Sequence, residues 1–215
     1  MRNILCFGDS NTYGLNPEWV HGNFGRHDIK TRWTGRLQEL LGSEYRIIEE
    51  GLNGRTTVFT SPMVPDRCGL TYFKPCIESH NPLDLIIIML GTNDANPFFN
   101  TRVNDIAGGL TTLIKVAKNP DTYMGMPIPK ILVAVPVPLG EAALSLSDGM
   151  TTPEMIETTR NLAPAYKRVA DMNGCEFIDL GEVAQTAPFE GVHLTPEAHA
   201  AIAEAYARKI REIFE

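Results

Sequence analysis

The sequence is short of positive charge and of long apolar runs, and each shortage excludes a class of partner. Its 19 Lys and Arg residues are outnumbered by 26 Asp and Glu residues, giving a formal net charge of -7. Nucleic acid and anionic membrane surfaces are therefore not expected as partners. The longest apolar run, residues 85–90, is far too short to cross a bilayer. The run at residues 4–7 is too short for a signal peptide, so we expect a cytoplasmic protein.

Paired cysteines and phosphate-binding glycine loops are also missing. None of the four cysteines forms a Cys-x-x-Cys pair, and Cys6 and Cys175 lie in apolar, strand-like runs. We expect buried, reduced thiols, and a disulfide between Cys68 and Cys76 is disfavoured in a cytoplasmic chain. No Gly-x-x-x-x-Gly-Lys-Ser/Thr run is present. The sequence therefore predicts neither a metal ion nor another cofactor.

What the sequence does contain is an alternation of strand and helix patterns. Short apolar runs predict five buried strands, at residues 4–7, 45–49, 85–90, 131–135 and 176–178. Apolar residues at helical spacing predict helices over 33–41, 103–117 and 156–170, and a last helix that begins at Thr195-Pro196. We predict a single domain over residues 1–215, a three-layer α/β/α sandwich around a five-stranded parallel sheet.

Three long stretches between these elements lack a regular pattern. They are residues 15–31, 57–75 and 136–153. Loops of this length in a compact domain usually carry function or build interfaces. Aromatic residues that can line a pocket or fill the core are Tyr13, Trp33, Phe59, Phe73, Phe98 and Phe99.

The loop after the first strand carries Ser10 between two glycines, Gly8 and Gly14. A serine held on a tight turn at the end of a strand can face the ligand cleft of a parallel sheet and act as a nucleophile. The alternative is an ordinary strand-to-helix turn that Ser10 caps. The Gly-x-Ser-x-Gly elbow of the α/β-hydrolases is absent, because Thr12 fills its last position.

The loops after the second and third strands add possible donors at the same edge. Gly54 can present its backbone N–H group to the cleft, or it can be a plain turn glycine. Asn93 can aim its amide N–H groups at a developing oxyanion. The alternative for Asn93 is an Asx-turn that ends the strand.

An acid–base pair precedes the last helix. Glu190 lies three residues before His193, so its carboxylate can bind one ring nitrogen and leave the other for a serine. His193 and His199 are six residues apart and do not make a His-Glu-x-x-His zinc pair. The histidines that lack such a partner in the sequence are His21, His27, His80 and His199.

Together these blocks resemble one family, the SGNH (GDSL-like) hydrolases, which have a flavodoxin-like fold. Within it the chain is similar to small bacterial arylesterases and acyltransferases. The matching stretches are residues 4–14, 32–35, 49–57 and 82–94, which include Gly-Asp-Ser and Gly-Thr-Asn-Asp. The similarity is weak over residues 136–153.

The resemblance implies a role for each site residue. Ser10 is expected to be the nucleophile and His193 its general base. The backbone N–H groups of Ser10 and Gly54, with the Asn93 side chain, are expected to form the oxyanion hole. In place of the family's Asp-x-x-His this chain has Glu190, which we expect to be the triad acid. The resemblance also implies metal-free cleavage of small acyl esters, acyl transfer in some members, and homo-oligomers.

We therefore predict a serine esterase that hydrolyses small, acetyl-type esters through an acyl-enzyme, with acyltransferase or perhydrolase activity as an extension. Asp179, at the end of the fifth strand, is a second acid and is expected to belong to the strand terminus. A different class of function is a flavodoxin-like module that binds a ligand without catalysis. A third is a catalytically inactive relative, which the intact set of site residues disfavours.

Overall fold

The computed structural model describes residues 1–146 and 151–215. In this part of the chain five parallel strands form one sheet in the order β2-β1-β3-β4-β5. The strands are β1 (Arg2–Gly8), β2 (Tyr45–Gly51), β3 (Leu85–Met89), β4 (Lys130–Val135) and β5 (Glu176–Asp179). The predicted five-stranded parallel sheet is confirmed, with each strand within three residues of its predicted bounds.

Helices cover both faces of the sheet. They are α1 (Ser10–Tyr13), α2 (Trp33–Leu41), α3 (Gly69–His80), α4 (Val103–Ala117), α5 (Pro153–Arg160), α6 (Leu162–Met172) and α7 (Pro196–Phe214). Strand residues such as Ile4 and Ile87 pack with α2 and α7, whereas their neighbours Leu5 and Ile88 pack with α3, α4 and α6. Because alternate residues of a strand face opposite sides, the continuous apolar runs are explained by burial on both faces.

Two helices differ from the sequence prediction. Helix α3 begins at Gly69, inside the stretch 57–75 that is predicted to be irregular. Its internal Pro75 is unfavourable for a helix, but the buried side chains of Phe73 and Ile77 fix the segment on the core. The predicted helix over 156–170 is two helices, which are separated at Asn161.

The predicted loops are partly structured. The stretch 15–31 contains a 3-10 helix, Pro17–His21, and the stretch 136–153 contains another, Glu141–Ser145. Residues 147–150 of the second stretch lie outside the described part of the chain. Among the described helices, none combines the length and the apolar character that crossing a membrane requires.

The four cysteines are free thiols. Cys6 and Cys76 are buried as expected, whereas Cys68 and Cys175 are only half-buried. Cys68 contacts the backbone instead of a second sulfur, with its Sγ 3.3 Å from the carbonyl oxygen of Val58.

The strand order places the loops after β1 and β3 at the point where the chain changes direction along the sheet. Strand β1 pairs with β2 on one side and β3 on the other. Loops that leave neighbouring strands in opposite directions open a crevice at their carboxyl ends, where ligands bind in such sheets. Ser10 follows β1 and Asn93 follows β3.

Candidate active site

Ser10 begins a one-turn helix directly behind β1. The turn is very tight, because a Cβ atom at Gly8 would lie 2.0 Å from the hydroxyl of Thr12. Asp9 caps the helix by accepting a hydrogen bond from the Asn11 backbone N–H at 2.9 Å. The capping residue is therefore Asp9, and the buried hydroxyl of Ser10 is left for another partner.

That partner is His193, from the loop before α7. The Nε2 atom of His193 lies 3.0 Å from Ser10 Oγ, and its Nδ1 atom lies 2.6 Å from Glu190 Oε1. The fold brings these groups together across 183 positions of the sequence. With the proton on Nδ1 donated to Glu190, Nε2 is free to accept the hydrogen of the Ser10 hydroxyl.

The Glu190 carboxylate is fully buried and accepts four hydrogen bonds. Besides His193 Nδ1, the donors are Trp19 Nε1 at 3.1 Å, Val192 N at 2.8 Å and His193 N at 2.6 Å. The longer glutamate stem folds back onto its own loop. Burial raises the pKa of Glu190, but the hydrogen bonds and charge of His193 outweigh burial, so the pKa is lowered. Glu190 is thus kept as a charged acceptor.

The loop that carries Glu190 and His193 is itself fixed by backbone hydrogen bonds. The N–H group of Ala187 donates to the carbonyl of His193 at 2.7 Å, and Gly191 donates to the carbonyl of Ala187 at 2.7 Å. Gly191 has a φ of 82°, a left-handed conformation that favours glycine. Asn11, on α1, donates to the carbonyl of Val192 at 3.2 Å. The loop is therefore tied to the helix that carries Ser10.

Sequence reasoning missed Trp19. This residue lies in the 3-10 helix Pro17–His21, 171 positions from the carboxylate that its indole N–H contacts. The same helix packs on the loop of Glu190, because the ring of His21 stacks on Phe189 at 5.1 Å between centroids. The sequence shows only a tryptophan within a long irregular stretch. The periodicity of apolar residues carries no information on a contact between residues so far apart.

The expectation that four histidines lack such an acid partner in the sequence is wrong for His21, and the fold gives His80 an acid partner from a distant strand. Glu18 lies three residues before His21 and contacts its Nδ1 at 2.8 Å, although both side chains are exposed. His80 Nε2 lies 2.8 Å from Glu50 Oε1. Asp179 lies at the strand terminus as expected, where it accepts the backbone N–H two residues later at 2.9 Å.

Gly54 and Asn93 lie on one cavity. They contribute to the lining of a space of about 380 Å³. Asn93 Nδ2 donates one hydrogen bond to the carbonyl of Arg55 at 3.0 Å. A carboxamide nitrogen carries two hydrogens, so this bond orients the amide and leaves its second N–H group to donate to a ligand. Gly54 has a φ of 75°, which explains why this turn requires glycine.

Arg55, which sequence reasoning also missed, ties the three strand ends together. Its side chain is buried, with its guanidinium 4.1 Å from the ring centroid of Phe7. Nη1 donates to the carbonyl of Gly8 at 2.9 Å and also to the carbonyl of Glu50. Its own carbonyl orients Asn93. Arg55 thus fixes the turn of Ser10 and the side-chain amide of Asn93 relative to each other.

Two buried aspartates, Asp9 and Asp94, are the direct neighbours of Ser10 and Asn93 in the sequence. Burial raises the pKa of Asp9 to about 6, although the hydrogen bond from Asn11 lowers it. Burial likewise raises the pKa of Asp94 to about 6, against hydrogen bonds from Thr57. Asp94 accepts the Thr57 backbone N–H at 2.9 Å and so fixes the segment behind Gly54.

One cluster among the described residues has the donor types of a metal site. The ligand atoms of Glu50, Cys76 and His80 lie within 4.8 Å of one another. Burial raises the pKa of Cys76 to about 12, and the charge of Arg55 acts on the same thiol in the opposite direction. A nearby guanidinium repels a cation, and a buried thiol resists the deprotonation that metal binding needs. The predicted absence of a metal stays a prediction.

The aromatic residues divide between cavity and core. Phe59, Phe98 and Phe99 line the cavity, with ring centroids 5.8 Å apart for Phe59 and Phe99. Trp33 and Phe73 are fully buried in the core. Tyr13 packs under the guanidinium of Arg26 instead, at 4.2 Å from the ring centroid.

The chain is similar over nearly its whole length to solved esterase structures. A carbohydrate acetylesterase from Sinorhizobium meliloti is 36% identical with a TM-score of 0.93, covering 99% of this chain and 100% of that one. The aryl esterase of M. smegmatis is 35% identical with a TM-score of 0.87, covering 99% of both chains.

An acetylxylan esterase from Xylanibacter ruminicola is 24% identical over 97% of this chain. The chain spans only 43% of the length of that relative. The model of the GDSL-like lipase/acylhydrolase family matches residues 6–201. The chain therefore belongs to the GDSL-like lipase/acylhydrolase family.

Proposed function

We propose that this chain hydrolyses small, acetyl-type esters through an acyl-enzyme on Ser10. The observation that carries the proposal is the continuous hydrogen-bond chain from Ser10 Oγ through His193 to the buried Glu190, with distances of 3.0 and 2.6 Å. A nucleophile, a base and an acid that orients the base are the parts of a serine-hydrolase triad.

In the first step Ser10 Oγ attacks the ester carbonyl carbon while His193 Nε2 takes the hydroxyl proton. The carbonyl π electrons move to oxygen, giving a tetrahedral oxyanion. His193 then donates the proton to the leaving alkoxide, the C–O bond breaks, and the acyl group stays on Ser10. Glu190 stabilises the imidazolium that forms between these events.

The oxyanion is held by N–H groups at the ends of three strands. The proposed donors are the backbone N–H groups of Ser10 and Gly54 and the second N–H of Asn93. Supporting this assignment, Arg55 fixes the amide of Asn93 through its carbonyl and the turn of Ser10 through the carbonyl of Gly8. Donors that are already oriented cost no reorganisation when the charge develops.

In the second step water attacks the acyl-enzyme while His193 takes one of its protons. The second tetrahedral intermediate collapses, Ser10 recovers its proton from His193, and a carboxylic acid leaves. An alcohol or hydrogen peroxide can replace water, which gives an acyltransferase or perhydrolase reaction. The acetyl preference is supported by similarity to the carbohydrate acetylesterase and the acetylxylan esterase.

The test is a comparison of rates on p-nitrophenyl acetate, butanoate and octanoate, together with acetylated sugars. We expect the acetyl ester to turn over fastest and the Ser10→Ala variant to be inactive while keeping its thermal unfolding temperature. Faster turnover of the octanoyl ester would contradict the acetyl preference. Hydrolysis that survives Ser10→Ala would contradict Ser10 as the nucleophile. A yellow protein with bound flavin and no ester hydrolysis would favour the ligand-binding alternative.

We also propose that the chain forms a homo-oligomer. Met63, Val64 and Phe98 line the cavity, and they are 74%, 48% and 52% exposed. Exposed apolar side chains that cluster at one opening are typical of interaction surfaces. Light scattering at micromolar concentration should give a multiple of 23.8 kDa. A mass of a single chain would refute this proposal.

A further inference from the structure

The cavity beside Gly54 and Asn93 contains one charged side chain among its described lining residues, Arg67. Among the described residues the remaining lining is apolar or neutral and includes no Asp or Glu. This is unexpected in a chain with a net charge of -7. The described lining next to the proposed oxyanion donors therefore carries one positive charge, that of Arg67.

Arg67 is anchored by its backbone and stem. Its carbonyl accepts the backbone N–H of Thr56 at 3.0 Å and lies 3.4 Å from the Thr56 hydroxyl. Its Cδ and Nε atoms would lie 3.7 and 3.9 Å from a Cβ atom built on Gly54. The side chain thus lies against the turn that carries a proposed oxyanion donor.

The guanidinium group of Arg67 has no salt bridge or hydrogen bond within residues 1–146 and 151–215. Other arginines at this end of the sheet are paired: Arg32 contacts Glu49 at 3.0 Å, and Arg55 contacts backbone carbonyls. Guanidinium groups present five donors in a planar fork that matches a carboxylate or phosphate. An anchored, half-buried fork that lacks a partner among the described residues is suited to a ligand.

We propose that this cavity is a subsite for an anionic group on the ester substrate, held by Arg67. The inference rests on the proposed esterase function and narrows its substrate class to esters that carry a carboxylate or a similar anion. Phe59, Phe98 and Phe99 contact the hydrocarbon part of that substrate and reduce the solvent around the ion pair. The anion can be on the acyl or the alcohol side of the ester.

The experiment compares each charged ester with a neutral partner of similar shape. On the alcohol side, 4-acetoxybenzoate is paired with methyl 4-acetoxybenzoate. On the acyl side, p-nitrophenyl hemisuccinate is paired with p-nitrophenyl methyl succinate. The quantity measured is the charged-to-neutral ratio of kcat/KM, and dividing the variant's ratio by the wild-type ratio cancels the intrinsic reactivity of the esters.

For Arg67→Gln we expect this ratio to fall about tenfold for at least one pair, mainly through KM, as loss of a charge-assisted hydrogen bond predicts. Arg67→Lys should restore part of the ratio, because it keeps the charge. Added salt should weaken the wild-type preference. The matched control is Arg46→Gln, an exposed arginine on β2, which should leave the ratio unchanged.

Two results would overturn the inference. A ratio unchanged by Arg67→Gln for both pairs means that the cavity does not bind anions. An equal fall in kcat on charged and neutral esters means that Arg67 acts on the oxyanion instead. Either result leaves the esterase proposal intact. If no ester is hydrolysed in a Ser10-dependent way, the proposed function itself fails, and the subsite fails with it.

Discussion

Replacing Glu190 by glutamine tests how the carboxylate controls the imidazole of His193. The two oxygens divide their four donors: Oε1 accepts from His193 Nδ1 and Trp19 Nε1, and Oε2 accepts from the backbone N–H groups of Val192 and His193. Glutamine has a single oxygen and an NH2 group. In the Glu190→Gln variant, one of these two pairs of donors must therefore face the NH2 group, which cannot accept their hydrogen bonds.

The energies of the two arrangements decide the outcome. With the NH2 group on the backbone side, two buried N–H groups lose their acceptor, at a cost of about 1–3 kcal/mol each. With the NH2 group on the ring side, only the indole of Trp19 loses its acceptor, because His193 can change tautomer and accept at Nδ1. The second arrangement costs less. It places the imidazole proton of His193 on Nε2, the atom that faces Ser10. The ring can then no longer accept the proton of the Ser10 hydroxyl.

We therefore expect Glu190→Gln to lower kcat on p-nitrophenyl acetate by about 10²- to 10⁴-fold, the upper value being the loss found for a serine protease triad in the wrong tautomer. Thermal unfolding should change little. Nitrogen NMR of the His193 ring should show the tautomer change directly. Glu190→Asp should keep substantial activity, because aspartate is the acid that the family resemblance implies at this position.

The matched control is Asp179→Asn, because among the described residues the one hydrogen bond of this acid is from a backbone N–H of its own loop, and asparagine can accept the same bond. It should stay near wild-type activity. A near-wild-type Glu190→Gln combined with an inactive Asp179→Asn would refute the reasoning and make Asp179 the acid.

Three further predictions concern the residues around the triad. Trp19→Phe removes one hydrogen bond to Glu190 and should lower kcat about tenfold with KM unchanged. The control is Trp33→Phe, which should have no such effect, because the Trp33 indole N–H lacks a partner among the described residues. Asn93→Ala should lower kcat by about 10²- to 10³-fold through the loss of an oxyanion donor; a change confined to KM would make Asn93 a binding residue. Burial raises the pKa of Asp9 from 3.8 to about 6, so the folded state binds this proton more tightly than the unfolded state, and stability should rise as the pH falls from 7 to 5. Asp9→Asn should then raise the free energy of unfolding at pH 7 by up to about 3 kcal/mol, and urea unfolding that shows no gain would contradict this.

The sheet was predictable because its strands have an unambiguous pattern. The runs at 85–89 and 131–135 are nearly all Ile, Leu and Val, and burial on both faces permits little else. The rule that ligands bind at the carboxyl ends of parallel strands then placed Ser10, Gly54 and Asn93 at one edge. Helix α3 escaped prediction, because the internal Pro75 and the irregular stretch before Gly69 hide a helix that only packing against the core explains.

Contacts between distant parts of the chain could not be predicted. Trp19 reaches Glu190 across 171 positions, and Arg55 reaches Gly8 across 47. Neither residue belongs to a local pattern, since each acts through a single side-chain bond to a partner that only the fold brings near. For the same reason the sequence does not indicate that Arg67 faces the cavity. The spacing of Glu190 and His193 was visible because both partners share one short loop.

Labelling with a fluorophosphonate tests the central claim most directly. The reagent phosphonylates a serine that a neighbouring base activates, with loss of fluoride. We therefore expect one adduct per chain, located by mass spectrometry on Ser10, with complete loss of ester hydrolysis. The Ser10→Ala variant should fold normally and take up no label. An adduct on another residue, or labelling and hydrolysis that persist in Ser10→Ala, would contradict the assignment of Ser10 as the nucleophile.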